Sequence, residues 1–271
     1  MKTGFVGGGN MAIAIIGGLL ARGHAAGDIV VAERDPGQRE RLATRFGIRT
    51  EASPGAQFAS ADVIVLAVKP QQMREAVAPL LPLLGGQLVV SIAAGIRLAD
   101  LSRWLGGYGT LVRAMPNTPA LVHAGITGLH AAAGISGAHR DAATALLSAV
   151  GDVVWFEDEA MLDAVTAVSG SGPAYVFYFI EALEQAAREL GLTPAQARQL
   201  AGQTFAGSVK LAMAGDEPFA VLRERVTSRG GTTERALGAM HAAAVKERIV
   251  EAVKAACERS RELGDTLGGD P

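Results

Sequence analysis

Lys2-Thr3-Gly4-Phe5-Val6-Gly7-Gly8-Gly9-Asn10-Met11-Ala12 decides how the rest of the chain is read. Residues 2 to 6 form a short apolar run that reads as a strand. Gly7 to Gly9 read as a turn, and Asn10 to Arg22 as a helix with apolar residues at Met11, Ile15, Ile16, Leu19 and Leu20. The spacing Gly7, Gly9, Ala12 is the GxGxxA form of the dinucleotide fingerprint. Gly7 permits the tight turn, Gly9 lets the backbone approach a pyrophosphate, and Ala12 allows helix and strand to pack closely. A plain strand-to-helix turn shares this spacing. The second strand expected at Ile29 to Ala32 supplies the context that favours the cofactor.

Working outward, the residue that reads the ribose should end that second strand. Glu33 falls about 20 residues after the fingerprint, where an acid accepts the ribose hydroxyls of NAD. Arg34 stands beside it and could pair with the 2′-phosphate of NADP. The choice between NAD(H) and NADP(H) stays open. Continuous apolar runs follow at Val63 to Val68, Gln87 to Ile92 and Thr110 to Ala114, with helical segments near Gln71 to Leu84 and Arg97 to Leu105. Runs buried on both faces and joined by helices predict an α/β fold with a Rossmann-type, doubly wound parallel sheet. Two strand ends carry proline, at Lys69-Pro70 and at Met115-Pro116-Asn117-Thr118-Pro119. Asn117 there offers an amide to the crevice where such sheets bind ligands.

Further strands are expected at Gly125 to His130 and Val153 to Phe156, around a helix at Gly137 to Val150. Glu157-Asp158-Glu159 reads as a solvated linker or helix start, and beyond it every segment reads as helical. The boundary is therefore placed at 158: residues 1–158 as the dinucleotide-binding domain, residues 159–271 as an all-helical C-terminal domain. The chain from Gly264 reads as a disordered tail. Tyr175 to Ile180 is apolar or aromatic all round, so its helix must be covered on every side. A second subunit is the expected cover.

Val226-Thr227-Ser228-Arg229-Gly230-Gly231-Thr232-Thr233 opens a helix in that second domain. Adjacent glycines, the hydroxyls of Ser228, Thr232 and Thr233 and the N–H groups of a helix start read as an anion site that needs no cation, although an ordinary glycine loop with a Thr N-cap shares this composition. No His, Cys or Lys stands in this turn or in Ser169-Gly170-Ser171-Gly172. Reduction of a carbonyl usually needs a strong acid. A protonated imine does not, and a threonine hydroxyl is adequate to orient its N–H.

Bulk properties narrow the class. With 49% hydrophobic and 19% charged residues and a formal net charge of −2, the chain reads as a globular protein that binds neither nucleic acid nor an anionic membrane. Cys257 is the single cysteine, and no cluster has metal-ligand spacing. With neither a signal peptide nor a membrane-spanning apolar stretch in view, a cytoplasmic protein is expected.

Taken together, Gly7-Gly8-Gly9-Asn10-Met11, Ala67-Val68-Lys69-Pro70, Val90-Ser91-Ile92-Ala93-Ala94-Gly95, Met115-Pro116-Asn117-Thr118-Pro119, Ser169 to Tyr175 and Thr227 to Thr233 resemble pyrroline-5-carboxylate reductase. The motifs run in family order across nearly the whole chain. The resemblance implies NADPH- or NADH-dependent reduction of 1-pyrroline-5-carboxylate to proline. It implies that Gly7, Gly8, Gly9, Asn10, Met11 and Ala12 hold the pyrophosphate and that Val68, Lys69 and Pro70 line the cofactor. It also implies that Ser228, Gly231 and Thr232, with Gly230 between them, receive the substrate carboxylate, and that Thr233 lies near the ring nitrogen. Family members form dimers through their helical domains, some building rings of five dimers. Arg229 stands where the family usually has Pro or Lys. Glu33 stands where many members have Asn, Ser or Thr, which runs against strict NADP preference. The rival readings are a related imine or hydroxyacid reductase and a nicotinamide-binding redox sensor without turnover. The first would be expected to carry a Lys or Asp in the first long helix of the second domain, where this chain has Glu181 and Glu184.

Overall fold

The computed structural model describes residues 1–269. Its first 155 residues build β1 (Thr3–Val6), α1 (Asn10–Ala21), β2 (Ile29–Ala32), α2 (Pro36–Phe46), β3 (Arg49–Glu51), α3 (Ala56–Ala59), β4 (Val63–Leu66), α4 (Met73–Val77), β5 (Leu88–Ser91), α5 (Leu98–Trp104), β6 (Leu111–Met115), β7 (Gly125–Ala131), α6 (Gly137–Ser148) and β8 (Gly151–Trp155). Helices follow: α7 (Met161–Val165), α8 (Gly172–Glu189), α9 (Pro194–Ala212), α10 (Phe219–Arg225), α11 (Thr232–Ala242) and α12 (Val245–Gly268). Two compact units emerge. One is Met1–Ser171 with the chain from Ala256 onward, the other Gly172–Ala255.

The eight strands of the first unit form one sheet in the order β3-β2-β1-β4-β5-β6-β7-β8. Because successive strand residues point to opposite faces, each face builds its own core. Phe5, Val31, Val65 and Val90 pack under α1 and α6, while Val30, Ile64, Leu66 and Val89 pack with Phe58, Met73 and Leu101 on the other face. Fully burying one such side chain contributes about 1.5–3 kcal/mol, so the sheet is held from both sides.

The structure departs from the expected parallel sheet at one pair: β6 and β7 run antiparallel, with Val112 opposite Ala131 and Met115 opposite Gly128. Between them lies only a short link containing one 3-10 turn, Thr118–Val122. A parallel return needs a crossover of about a dozen residues or more, so the short link forces the reversal. The helix expected over 71 to 84 is also broken. Pro79 and Pro82 reduce it to α4 flanked by 3-10 turns, Pro70–Gln72 and Ala78–Leu83, since an interior proline removes a donor and clashes with the preceding turn.

The tail expected to be disordered from Gly264 is helical through Gly268, and Gly264 and Gly268 are buried. Their lack of a side chain is what permits this. A Cβ at Gly268 would lie 2.1 Å from Asp100 Oδ2, and one at Gly264 would lie 3.2 Å from Arg97 Nε. Arg97 pairs with Asp265 at 2.7 Å, and Ser260 donates to the buried Asp163 carboxylate at 2.6 Å. The hydrogen bond to Asp265 raises the pKa of the Arg97 guanidinium. Residues 270 and 271 of the expected tail lie outside the described residues.

In the second unit, α8, α10 and α11 bury no residue, and α9 buries only Ala197 and Ala201. Phe177 and Tyr178 on α8 are 65% and 71% exposed. Helix α9 starts on a full capping box: Thr193 Oγ1 accepts from Gln196 N–H, Gln196 Oε1 accepts from Thr193 N–H, and Pro194 takes the first helical position. Among the described residues no helix is long and apolar enough to cross a membrane.

Candidate active site

The first site forms at the C-terminal ends of β1, β2 and β4. Gly7 N–H donates to Ala32 O at 2.8 Å, and the residue adopts a φ of +97°. A Cβ there would lie 2.6 Å from Ala67 O, so only glycine fits. Gly9 is different. A Cβ on it would meet nothing within 4 Å, so the protein itself leaves open the approach to this backbone. Gly9 is the N-cap of α1, where no side chain caps the helix and no acid stands in the first turn. Open space over an uncapped helix start fits a pyrophosphate.

A cleft of about 400 Å³ extends from this turn, and Gly7, Gly8, Gly9, Glu33, Arg34, Val68 and Lys69 all line it. Ala12 is fully buried between helix and sheet, and Asn10 faces a separate hollow beside α2. Met11, Pro70 and Asn117 are not among the residues lining the cleft. Asn117 is 9% exposed and its Oδ1 accepts from Ile126 N–H at 3.0 Å, so its amide holds the start of β7.

The Glu33 carboxylate lies on the glycine turn, where Oε2 accepts from Gly8 N–H at 2.9 Å and Oε1 from Asp35 N–H at 3.0 Å. Gln38 Nε2 donates to Gly8 O at 2.6 Å, fastening the turn from α2. Arg34 pairs with Glu75 at 2.9 Å. Asp35, Gln38 and Glu75 were not singled out from the sequence. The pair Asp35-Pro36 did carry a signal, an N-cap followed by proline at the first helical position.

The second site lies within the helical unit. Gly230 turns with a φ of +73°, Gly231 N–H donates to Ser228 O at 3.0 Å, and α11 starts at Thr232. The turn also satisfies two of its own N–H groups. Gly230 N–H donates to the Glu234 carboxylate at 2.7 Å, so the chain supplies an anion of its own to this turn. No side chain caps α11 at Gly231, which leaves the N–H groups of Thr232 and Thr233 at the open helix end. Thr232 and Ser228 are exposed and Thr233 is half-buried. A hollow of about 570 Å³ beside them is lined by Gly230, Gly231, Glu234, Arg235, Gly238, Ala239 and Ala242.

An uncapped glycine turn at the C-terminal edge of a doubly wound sheet, with an acid closing the second strand, defines a dinucleotide-binding protein of the Rossmann class. Residues 2–95 match the family described as NADP oxidoreductase, coenzyme F420-dependent, and residues 159–263 match pyrroline-5-carboxylate reductase dimerisation. The chain is 46% identical to a pyrroline-5-carboxylate reductase of Pseudomonas aeruginosa over 98% of both chains. Its structure is similar to that of a pyrroline-5-carboxylate reductase from Coxiella burnetii, with a TM-score of 0.91 and 38% identity over 97% of this chain and 98% of the other. A Plasmodium falciparum pyrroline carboxylate reductase with NADP bound matches at a TM-score of 0.86 and 28% identity, with the same coverage. The chain belongs to the pyrroline-5-carboxylate reductase family.

Proposed function

We propose that the chain reduces 1-pyrroline-5-carboxylate to L-proline with NADPH or NADH. The observation that carries this reading is the uncapped Gly-Gly-Thr-Thr start of α11, in a chain 46% identical along 98% of its length to a reductase of that name. The reduced nicotinamide, when bound, supplies a hydride. Gly7, Gly8 and Gly9 receive the pyrophosphate at the head of α1, Glu33 and Arg34 read the ribose, and Val68 and Lys69 complete the cofactor side, while Ala12 packs α1 on the sheet and Asn117 holds β7. Ser228, Gly230, Gly231 and Thr232 hold the substrate carboxylate, with the N–H of Thr232 and the helix dipole as its main attraction. The Thr233 hydroxyl accepts from the ring N–H of the protonated imine and fixes the orientation of its carbon. Positioning of this kind supplies most of what hydride transfer to an iminium needs.

The working division is a dinucleotide-binding domain of residues 1–158 and a helical substrate and dimerisation domain of residues 159–271. The dimerisation match starting at residue 159 supports it. A homodimer covers the exposed apolar residues of α8, among them Phe177 and Tyr178. Sedimentation would distinguish it from rings of five dimers. The protein works in the cytoplasm and binds neither nucleic acid nor membrane, in keeping with its net charge of −2.

The direct test is the loss of reduced-nicotinamide absorbance on adding 1-pyrroline-5-carboxylate to purified protein, with proline identified as the product. Turnover with either coenzyme supports the assignment. No turnover in folded, coenzyme-bound protein would overturn it.

A further inference from the structure

We infer that this chain selects NADH over NADPH, through the Glu33 carboxylate fixed on the glycine turn and through Glu75, which engages Arg34. The inference rests on the reading of the first cleft as a nicotinamide-dinucleotide site. It goes beyond that reading, because the Plasmodium falciparum relative was solved with NADP.

The adenosine ribose of NADH presents two hydroxyls, both able to donate. NADPH replaces one of them by a phosphate that only accepts and brings a charge of about −1.5 to −2 at neutral pH. Glu33 is placed to distinguish them. Its two oxygens each take one backbone N–H, from Gly8 at 2.9 Å and from Asp35 at 3.0 Å, which fixes the carboxylate on the turn. Each oxygen keeps a lone pair for a hydroxyl. A 2′-phosphate entering there would meet a carboxylate of like charge.

The two cations of the lining, Arg34 and Lys69, are both exposed, and Arg34 already has a carboxylate partner. Arg34 is the only arginine among the cleft's lining residues, and Glu75 pairs with it at 2.9 Å from the same lining. The start of α2 would be the next place to hold a phosphate. Asp35 closes it, accepting from Gly37 N–H at 3.2 Å and Gln38 N–H at 3.0 Å. Lys69 is the remaining cation of the lining, and it is exposed, where a single charge attracts weakly. The lining thus carries three carboxylates, Glu33, Asp35 and Glu75, and two cations, with Arg41 pairing Asp35 at 3.4 Å from outside it.

The test is equilibrium titration of the whole protein with NADH and with NADPH, followed by reduced-nicotinamide fluorescence without substrate. Wild-type protein should bind NADH about tenfold or more tightly than NADPH, as expected when one partner meets an unpaired like charge. Glu33→Gln keeps the acceptor for Gly8 N–H while removing the charge, and should cut the preference by about tenfold. Glu75→Gln leaves the glycine turn alone and releases Arg34, and should improve NADPH several-fold relative to NADH. Circular dichroism and a melting curve check that each variant is folded. Equal or tighter binding of NADPH by wild-type protein would overturn the selectivity alone. A ratio unmoved in both folded variants would overturn the roles of Glu33 and Glu75. Failure of folded wild-type protein to bind either coenzyme would overturn the cleft reading itself.

Discussion

Arg113 on β6 and Glu159, just before α7, form an ion pair of 3.0 Å with side chains only 5% and 24% exposed. The same Glu159 oxygen accepts from Leu98 N–H at 2.9 Å, so one carboxylate neutralises a buried guanidinium and caps the start of α5. Removing one partner of such a pair strands the other charge in a medium that solvates it poorly. Glu159→Ala should therefore destabilise the protein by about 3–5 kcal/mol. Glu159→Gln, which keeps an acceptor for Leu98 N–H, should cost less. Urea denaturation measures both, and an unchanged midpoint for Glu159→Ala would show that Arg113 finds another partner.

Two adjacent glycines of α1 should respond to alanine in opposite directions. At Gly18 a Cβ would lie 2.3 Å from Ala149 O, a backbone atom that cannot swing aside. Overpacking of this kind costs about 1–3 kcal/mol. At Gly17 the nearest atom is Phe46 Cε1 at 3.8 Å, an ordinary contact. There alanine should stabilise by about 0.5–1 kcal/mol, because it has less backbone freedom to lose on folding. Melting temperatures of the two variants decide it. Equal shifts would mean that α1 moves as a body to accommodate Gly18→Ala.

Tyr108 makes the fold sensitive to alkali. Its hydroxyl donates to Gln87 O at 2.5 Å, and burial raises its pKa above the ordinary value of 10.0. The sign follows from linkage: the unfolded chain gives up this proton at a lower pH than the folded one. The contribution of Tyr108 is thus fully present below pH 10.0 and is lost as pH rises through the higher folded value. Tyr108→Phe should be less stable near neutrality, since the hydrogen bond is gone, but should lose stability less steeply above pH 10.0 than wild type. Parallel denaturation curves across that range would remove Tyr108 as the cause.

The parts of the fold legible in the sequence are those with a strong local pattern. β4 and β5 are continuous apolar runs, as strands covered on both faces must be, and Gly7 to Ala12 carries a spacing with a steric cause at each position. Between β2 and β4 the pattern fails. Of the eleven residues of α2 only Leu42 is buried, and β3 is the three-residue edge strand Arg49–Glu51, so neither leaves a periodic apolar signal. Long-range partners were equally hidden. Glu159 reads as a solvated acid beside Glu157 and Asp158 until the fold brings Arg113 to it. Gly264 and Gly268 read as the mark of a loose tail, yet they are where α12 packs too closely for a side chain. At the second site the glycine turn and helix start were legible. The Glu234 carboxylate on Gly230 N–H was not, because a helical Glu just after such a turn has the same sequence whether it folds back or faces solvent.

Thr233→Val tests the role proposed for the hydroxyl in the first turn of α11. Valine keeps the branched shape, and Thr233 is half-buried, so the change removes a polar atom with little change in packing. If the hydroxyl fixes the imine N–H, kcat should fall by about tenfold or more, since orientation is most of what the protein contributes to this step. Coenzyme affinity should not change, because the cleft proposed for it is lined by residues of the other unit, from Val6 to Pro79. Thr232→Val is the companion: it keeps the N–H assigned to the substrate carboxylate and loses only a hydroxyl, so it should raise the substrate KM while leaving kcat closer to wild type. An unaltered kcat in Thr233→Val would remove that residue from the mechanism and leave positioning to the carboxylate site alone.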